Sequence, residues 1–167
     1  MDGVISDTQE LHAEIESKLL EKHGVHIRAS EITRLCAGMN IAELFEQFLS
    51  HHGKKADVPS LVREKWSLMF EEARGNIRPI PGSADIISLV KSLGFSIAVA
   101  SGSKKEFITL VLEELNLLDQ FDAIVSSEDV SCGKPAPDVF LLAAEKLGVE
   151  PKDCIVIEDA VNGMIAA

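Results

Sequence analysis

No two cysteines of this chain stand at a metal-binding spacing. Cys36, Cys132 and Cys154 are odd in number, far apart and outside any CxxC or Cys/His pattern, so free thiols in a reducing compartment fit better than a disulfide frame or a zinc module. No stretch approaches the ~18 consecutive apolar residues of a membrane helix. The start is acidic, with Asp2, Asp7 and Glu10, and lacks the basic opening of a secretory signal. A cytoplasmic protein without a membrane partner is expected. Basic residues are in deficit too: 16 Lys and Arg face 27 Asp and Glu, for a net charge of −11 and a pI near 4.8. That balance argues against nucleic acid or an anionic membrane as partner. There are no internal repeats and no low-complexity tract.

What is present suffices for a core. With 167 residues, 46% of them apolar, and a mean hydropathy of +0.15, the chain has the size of one domain, or of one domain with a modest insertion. Residues 9–78 read as helices only. Thr8 is placed to cap a run through residue 23 that stops at Gly24, with Leu11, Ile15, Leu19 and Leu20 on one face. Residues 40–51 carry Ile41, Leu44, Phe45, Phe48 and Leu49 at the spacing of a single buried stripe. Pro59-Ser60 opens a third helix, where Val62, Trp66, Met69, Phe70 and Ala73 repeat that pattern up to Gly75.

From Pro79 onward the texture alternates. Short apolar runs at 95–100, 123–125 and 154–157 read as strands, separated by helical patterns at 83–93, 104–115 and from Pro137 to just before Gly148. Strands separated by helices of 10 or more residues are the signature of a parallel sheet with helical crossovers. The fold class expected is α/β, with the helical segment inserted as a lid. Residues 1–8 and 79–167 would form the α/β core and 9–78 the helical cap, with Pro79 and Pro81 at the return hinge.

Polar groups follow the apolar strands directly, at the edge where such sheets collect functional side chains. They are Asp2, Ser101, Lys134 and the pair Glu158-Asp159. Each has an ordinary explanation: an Asp-Gly turn, a helix cap, a solvated loop, an acidic start to the next helix. Together their chemistry is complementary. Phosphoryl transfer needs a metal to offset charge repulsion, fixed donors for the phosphate oxygens, and a proton donor for the leaving oxygen. Glu158 and Asp159 are hard oxygen ligands suited to Mg²⁺. Lys134 is a compact cation for a phosphoryl group or a carboxylate, Ser101 and its neighbouring amides can donate to phosphate oxygens, and Asp2 is left as acid and base.

The segments Met1-Asp2-Gly3-Val4 with Asp7-Thr8, Val99-Ala100-Ser101-Gly102-Ser103, Gly133-Lys134-Pro135-Ala136-Pro137-Asp138 and Ile157-Glu158-Asp159-Ala160-Val161-Asn162-Gly163 resemble, in order and spacing, the haloacid dehalogenase-like phosphohydrolase superfamily. The resemblance covers essentially all 167 residues. It is to the branch with a helical cap that includes β-phosphoglucomutase and small sugar-phosphate phosphatases, and it implies a Rossmann-like parallel sheet with the cap inserted. It also implies Asp2 and Lys134 as catalytic residues, and Ser101, Gly102 and Lys134, with His12, Ser103 and Lys104, around the phosphate. Asp2, Glu158 and Asp159 would hold Mg²⁺, Asp2 through its main-chain carbonyl. The family's first motif is Asp-x-Asp-Gly, in which the first Asp forms an aspartyl phosphate. Asp2 is the second Asp here, and the nucleophile would be the residue immediately before Met1. The chain is therefore expected to be shortened at both ends, to lack the family's first and last strands, and to be inactive as written.

In the cap, Thr8 aligns with a hinge residue and Gly38-Met39-Asn40-Ile41 resembles the loop that selects the substrate. Ile41 stands where the mutase pattern carries an arginine for the second phosphate, and Lys105 replaces an asparagine. These departures favour hydrolysis of a monophosphate over phosphate shuttling, and the expectation is a Mg²⁺-dependent phosphoric monoester hydrolase of a small phosphorylated metabolite, a sugar phosphate, forming a monomer or weak homo-oligomer. A β-phosphoglucomutase-type mutase is the alternative. Asp2 counts against dehalogenation. A non-catalytic remnant or interaction module is the reading from another class.

Overall fold

The computed structural model describes residues 1–167. Helix α1 (Gln9–Lys22) buries Ala13, Ile15, Glu16, Leu19 and Leu20, and its chain turns away through Gly24 at φ +73°. The side chain of Thr8 does not cap α1 as its position suggests; the hydroxyl turns to Asp2 instead. Helix α2 (Ala29–Cys36) has no counterpart in the sequence reading, because eight residues with only Ile32 and Cys36 buried show too little period to stand out. Helix α3 (Ile41–His51) starts where Asn40 Oδ1 accepts the Ala42 amide at 2.9 Å. Helix α4 (Val58–Ala73) starts at Asp57, whose Oδ1 accepts the Ser60 amide at 3.4 Å, with Pro59 in its first turn.

The chain enters and leaves this helical segment through one neck. The Asp7 amide donates to the Arg78 carbonyl at 2.8 Å, and the Ile80 amide to the Ile5 carbonyl at 2.9 Å. Ser83 Oγ adds a bond to the same Ile5 carbonyl at 3.2 Å. Beyond it come α5 (Ser83–Ser92), β1 (Ala98–Ala100), α6 (Lys105–Glu114), β2 (Ala123–Val125), α7 (Asp138–Leu147) and α8 (Val161–Ala166). β1 and β2 pair in parallel, Val99 opposite Ile124, with α6 as the crossover that a parallel pair requires. Helix α7 covers both strands, with Val139 and Ala143 packed beside Val125.

The sheet is smaller than the sequence reading expected. It has 2 strands. At the first of them, 95–97 are not strand: the Asp122 carboxylate takes the Ile97 amide at 2.9 Å, where a ladder partner would stand, and Phe95 is 63% exposed. Residues 154–157 are not a strand either, and Ile155 and Ile157 are 93% and 66% exposed. A strand exists by virtue of its ladder, and no strand of residues 1–167 lies beside this segment.

One hydrophobic core joins the two halves. It runs from Leu19, Leu20, Phe45 and Met69 of the helical segment to Phe107, Ile108, Val111 and Leu112 of α6 and Val99 of β1. Trp66 and Phe70 on α4 each meet Phe107 with ring centroids 5.7 Å apart, a spacing at which aromatic pairs add to simple burial.

Candidate active site

A cleft with about 90 Å³ of free space opens between the helical segment and the loops that follow the strands. Asp2 lies in it, beside a turn that Gly3 makes at φ +76°. Its carboxylate is a point of convergence. Thr8 Oγ1 donates to Oδ1 at 2.6 Å, Ser103 Oγ to Oδ2 at 2.9 Å and Ser101 Oγ to Oδ2 at 3.3 Å. Because the Thr8 hydroxyl spends its one proton on Asp2, the buried Ser6 hydroxyl at 2.8 Å is the donor to Thr8. Burial pushes the Asp2 carboxyl up, but His12 and the Thr8 hydroxyl outweigh it and hold the group well below the usual carboxylate range. The Asp2 carboxyl is therefore held in its ionised form.

His12 connects Asp2 to the helical segment. Its Nε2 lies 3.3 Å from Asp2 Oδ1, off the hydrogen-bonding direction, and has no other partner. Its Nδ1 lies 2.7 Å from Lys65 Nζ. An ammonium only donates, so Nδ1 accepts and Nε2 carries the ring proton, facing Asp2. Burial and the Lys65 charge hold His12 below its usual pKa against the pull of Asp2. The ring N–H is thereby directed at the Asp2 carboxylate. Edge-on contacts with Trp66 and Phe107 fix its plane.

Lys65 is 1% exposed and Glu16 7%, and both line the cleft. Lys65 Nζ stands over the Trp66 ring, 3.6 Å from its centroid, and 3.9 Å from Glu16 Oε1. Burial lowers Lys65 to about 8 and raises Glu16 to about 7, each charge partly restoring the other.

The remaining expected residues fall into two groups. Gly102 and Lys134 line the cleft with Glu158 and Asp159. Lys134 Nζ is ion-paired with Glu158 Oε1 and lies 3.4 Å from the Ala100 carbonyl. A Cβ at Gly163 would collide with the Glu158 carboxylate, and one at Gly3 with that of Asp159, so both acids approach main chain that only glycine leaves open. Burial pushes the Asp159 carboxyl up, with the Glu158 and Asp2 charges adding. No three His, Cys, Asp or Glu residues stand close enough to form a ready metal cage. Lys104 does not line the cleft: at the start of α6 its ammonium lies 3.8 Å from Glu128 Oε1.

Across the cleft, Asn162 Nδ2 donates to the Ala37 carbonyl at 3.1 Å. Gly102 lies so close to the Gly38 carbonyl that a Cβ there would stand 3.3 Å from it. The loop carrying Gly38 thus rests on the loops that carry Ser101 and Glu158.

The pattern of haloacid dehalogenase-like hydrolases matches residues 1–167. This chain belongs to that family. Among its relatives, hexitol phosphatase B of Escherichia coli (strain K12) is 31% identical over 171 residues, covering 100% of this chain and 76% of that protein. The fructose-1-phosphate phosphatase of the same strain is 31% identical over 169 residues, covering 100% of this chain and 87% of that protein. The crystal structure of β-phosphoglucomutase from Clostridium difficile superposes with a TM-score of 0.89 at 31% identity, over 99% of this chain and 76% of that one. A haloacid dehalogenase-like fold accounts for the parallel strands, the crossover helix and the inserted helices.

Sequence reasoning missed Glu16, Lys65 and Asn162 in this family member. A signal existed for Lys65. It falls four residues after Leu61 and four before Met69, on the buried face of α4, where a lysine is out of place without a partner. Glu16 sits likewise four residues before Leu20.

Proposed function

We propose that this protein is a Mg²⁺-dependent phosphatase of a small phosphorylated metabolite, a sugar phosphate. One observation carries the reading: Asp2, Ser101, Gly102, Lys134 and Asp159 line one cleft, although they come from distant parts of the chain. Lys134 and the main chain at Gly102 would bind the phosphate, and residues 9–78 would act as the cap that excludes bulk water. The position before Met1 lies outside the sequence; the reading takes it to carry the aspartate that forms an aspartyl phosphate.

Asp2 then has a defined task. Its carboxylate, which accepts hydrogen bonds from Thr8, Ser101 and Ser103, removes a proton from water as the water oxygen attacks phosphorus and the bond to the aspartyl oxygen breaks. The protonated Asp2 returns that proton to the next leaving oxygen. Asp159, with Glu158 and the main-chain carbonyl of Asp2, would hold the Mg²⁺. The fit is chemical: Asp159 is pushed up by burial and by two neighbouring anions, which a cation would relieve, and Mg²⁺ commonly takes one or two carboxylates with the rest of its shell from substrate and water. When bound, Mg²⁺ offsets the negative charge of the phosphoryl group.

The mutase reading has less support. Ile41 lines the cleft and offers a second phosphate no donor. The test is phosphate release from sugar phosphates by the chain extended upstream through that aspartate. Release that requires Mg²⁺ and is abolished in Asp2→Asn and Asp159→Ala is expected. A folded extended protein releasing no phosphate across the panel would overturn the proposal; interconversion of hexose 1- and 6-phosphates would replace it with the mutase.

A further inference from the structure

The cleft has a second polar end, at Glu16, to which the steps above assign no role. Glu16 is nine-tenths buried and lines the cleft, and the one charged side chain within 4 Å of its carboxylate, Lys65 Nζ, is 3.9 Å away, beyond hydrogen-bond reach. Lys65 is already engaged, donating to His12 Nδ1 and lying over the Trp66 ring. No protein donor reaches the Glu16 carboxylate, and its oxygens are not sealed from solvent, so a ligand in the cleft can bring donors to it. The neighbouring wall is apolar, from Ile32, Ile41 and Leu44. The pair also sets the charge of what can come. A second anion would meet Glu16, an ammonium would meet Lys65, and a neutral hydroxyl can donate to Glu16 without opposing either.

We propose that Glu16 determines specificity: its carboxylate, paired with Lys65 on the cap side of the cleft, accepts a hydrogen bond from a hydroxyl at the non-phosphorylated end of the substrate and rejects a carboxylate or second phosphate there. The substrate class is thereby a neutral polyhydroxy monophosphate. This rests on the phosphatase reading above.

Three esters separate the two ideas when assayed on the extended chain: sorbitol 6-phosphate, rich in hydroxyls; 2-phosphoglycolate, with a carboxylate at its far end; and p-nitrophenyl phosphate, with neither. In Glu16→Leu, kcat/KM for sorbitol 6-phosphate should fall about tenfold or more relative to p-nitrophenyl phosphate in the same variant, chiefly through KM, as expected for a lost bond to a charged acceptor. In the near-isosteric Glu16→Gln, which keeps an acceptor but no charge, 2-phosphoglycolate should gain about tenfold relative to sorbitol 6-phosphate. Equal losses on all three esters in Glu16→Leu, or an unchanged 2-phosphoglycolate ratio in Glu16→Gln, would overturn the role of Glu16 and leave the phosphatase standing. If Glu16→Leu does not fold, the Glu16→Gln ratio decides alone. A wild-type protein that cleaves none of the three would overturn both readings.

Discussion

Lys65 Nζ lies 2.7 Å from His12 Nδ1, a bond that spans 53 residues and ties helix α4 to helix α1 directly behind Asp2. Its consequence is a single tautomer, with the ring proton on Nε2 facing the Asp2 carboxylate. Lys65→Met should let both tautomers populate, visible in the ¹⁵N shifts of the His12 ring. Phosphate release should drop by up to about 100-fold, the scale of a misplaced catalytic group. One fixed tautomer in the variant would show that Lys65 does not set it.

Glu16 makes stability depend on pH in a defined direction. Its pKa rises on folding from 4.5 to about 7, so between these values the folded state holds a proton that the unfolded chain has released. Stability from this group is complete below pH ~4.5 and declines up to pH ~7. Lys65 acts oppositely: lowered from 10.5 to about 8, it makes stability recover between those values. Thermal unfolding of Glu16→Gln should lose the decline between pH 5 and 7 that the wild type shows, an effect of about 1–3 kcal/mol. Parallel wild-type and variant curves over that range would contradict the assignment.

Asn162 holds the loop at Ala37 closed from the opposite side of the cleft. Removing it in Asn162→Ala should weaken closure by about 1 kcal/mol, a factor of ~5. Hydrogen exchange at Gly38 and Met39 should quicken by that factor, and KM should rise with it. Exchange at the wild-type rate would mean that Gly102 packing against Gly38 suffices.

Phe107 is fully buried where α6 meets Trp66 and Phe70. Phe107→Ala should cost about 3–5 kcal/mol. Because the same ring joins both halves of the core, the helical segment and the α/β part should melt in one transition in the wild type. Two separate transitions in the wild-type melt would deny the shared core.

Much of this architecture was legible in the chain because it rests on short-range pattern. The stripe Ile41, Leu44, Phe45, Phe48, Leu49 became α3, and the turn at Gly148, with φ +68°, ended α7. Ser101 and Glu158 were singled out for the same reason, since each directly follows an apolar run. Where the reading failed, a distant partner decided the outcome. Residues 154–157 are apolar and extended in sequence terms, but a strand requires a neighbour and the 2-stranded sheet offers none. Thr8 had the position of a helix cap, and Asp2 drew its hydroxyl away.

The sequence by itself determined most of the helices, the order of the polar residues and the acidic charge, since propensity, periodicity and composition act within a few residues of chain. Tertiary structure alone decided what those residues do to one another. Ser101 reaches Asp2 across 99 positions and Lys65 reaches His12 across 53. Burial then turned a surface-type pair, Glu16 and Lys65, into the polar wall of a cleft. No local pattern encodes such pairs, because their energy depends on desolvation and angstrom-scale distance, which exist only once the core has closed.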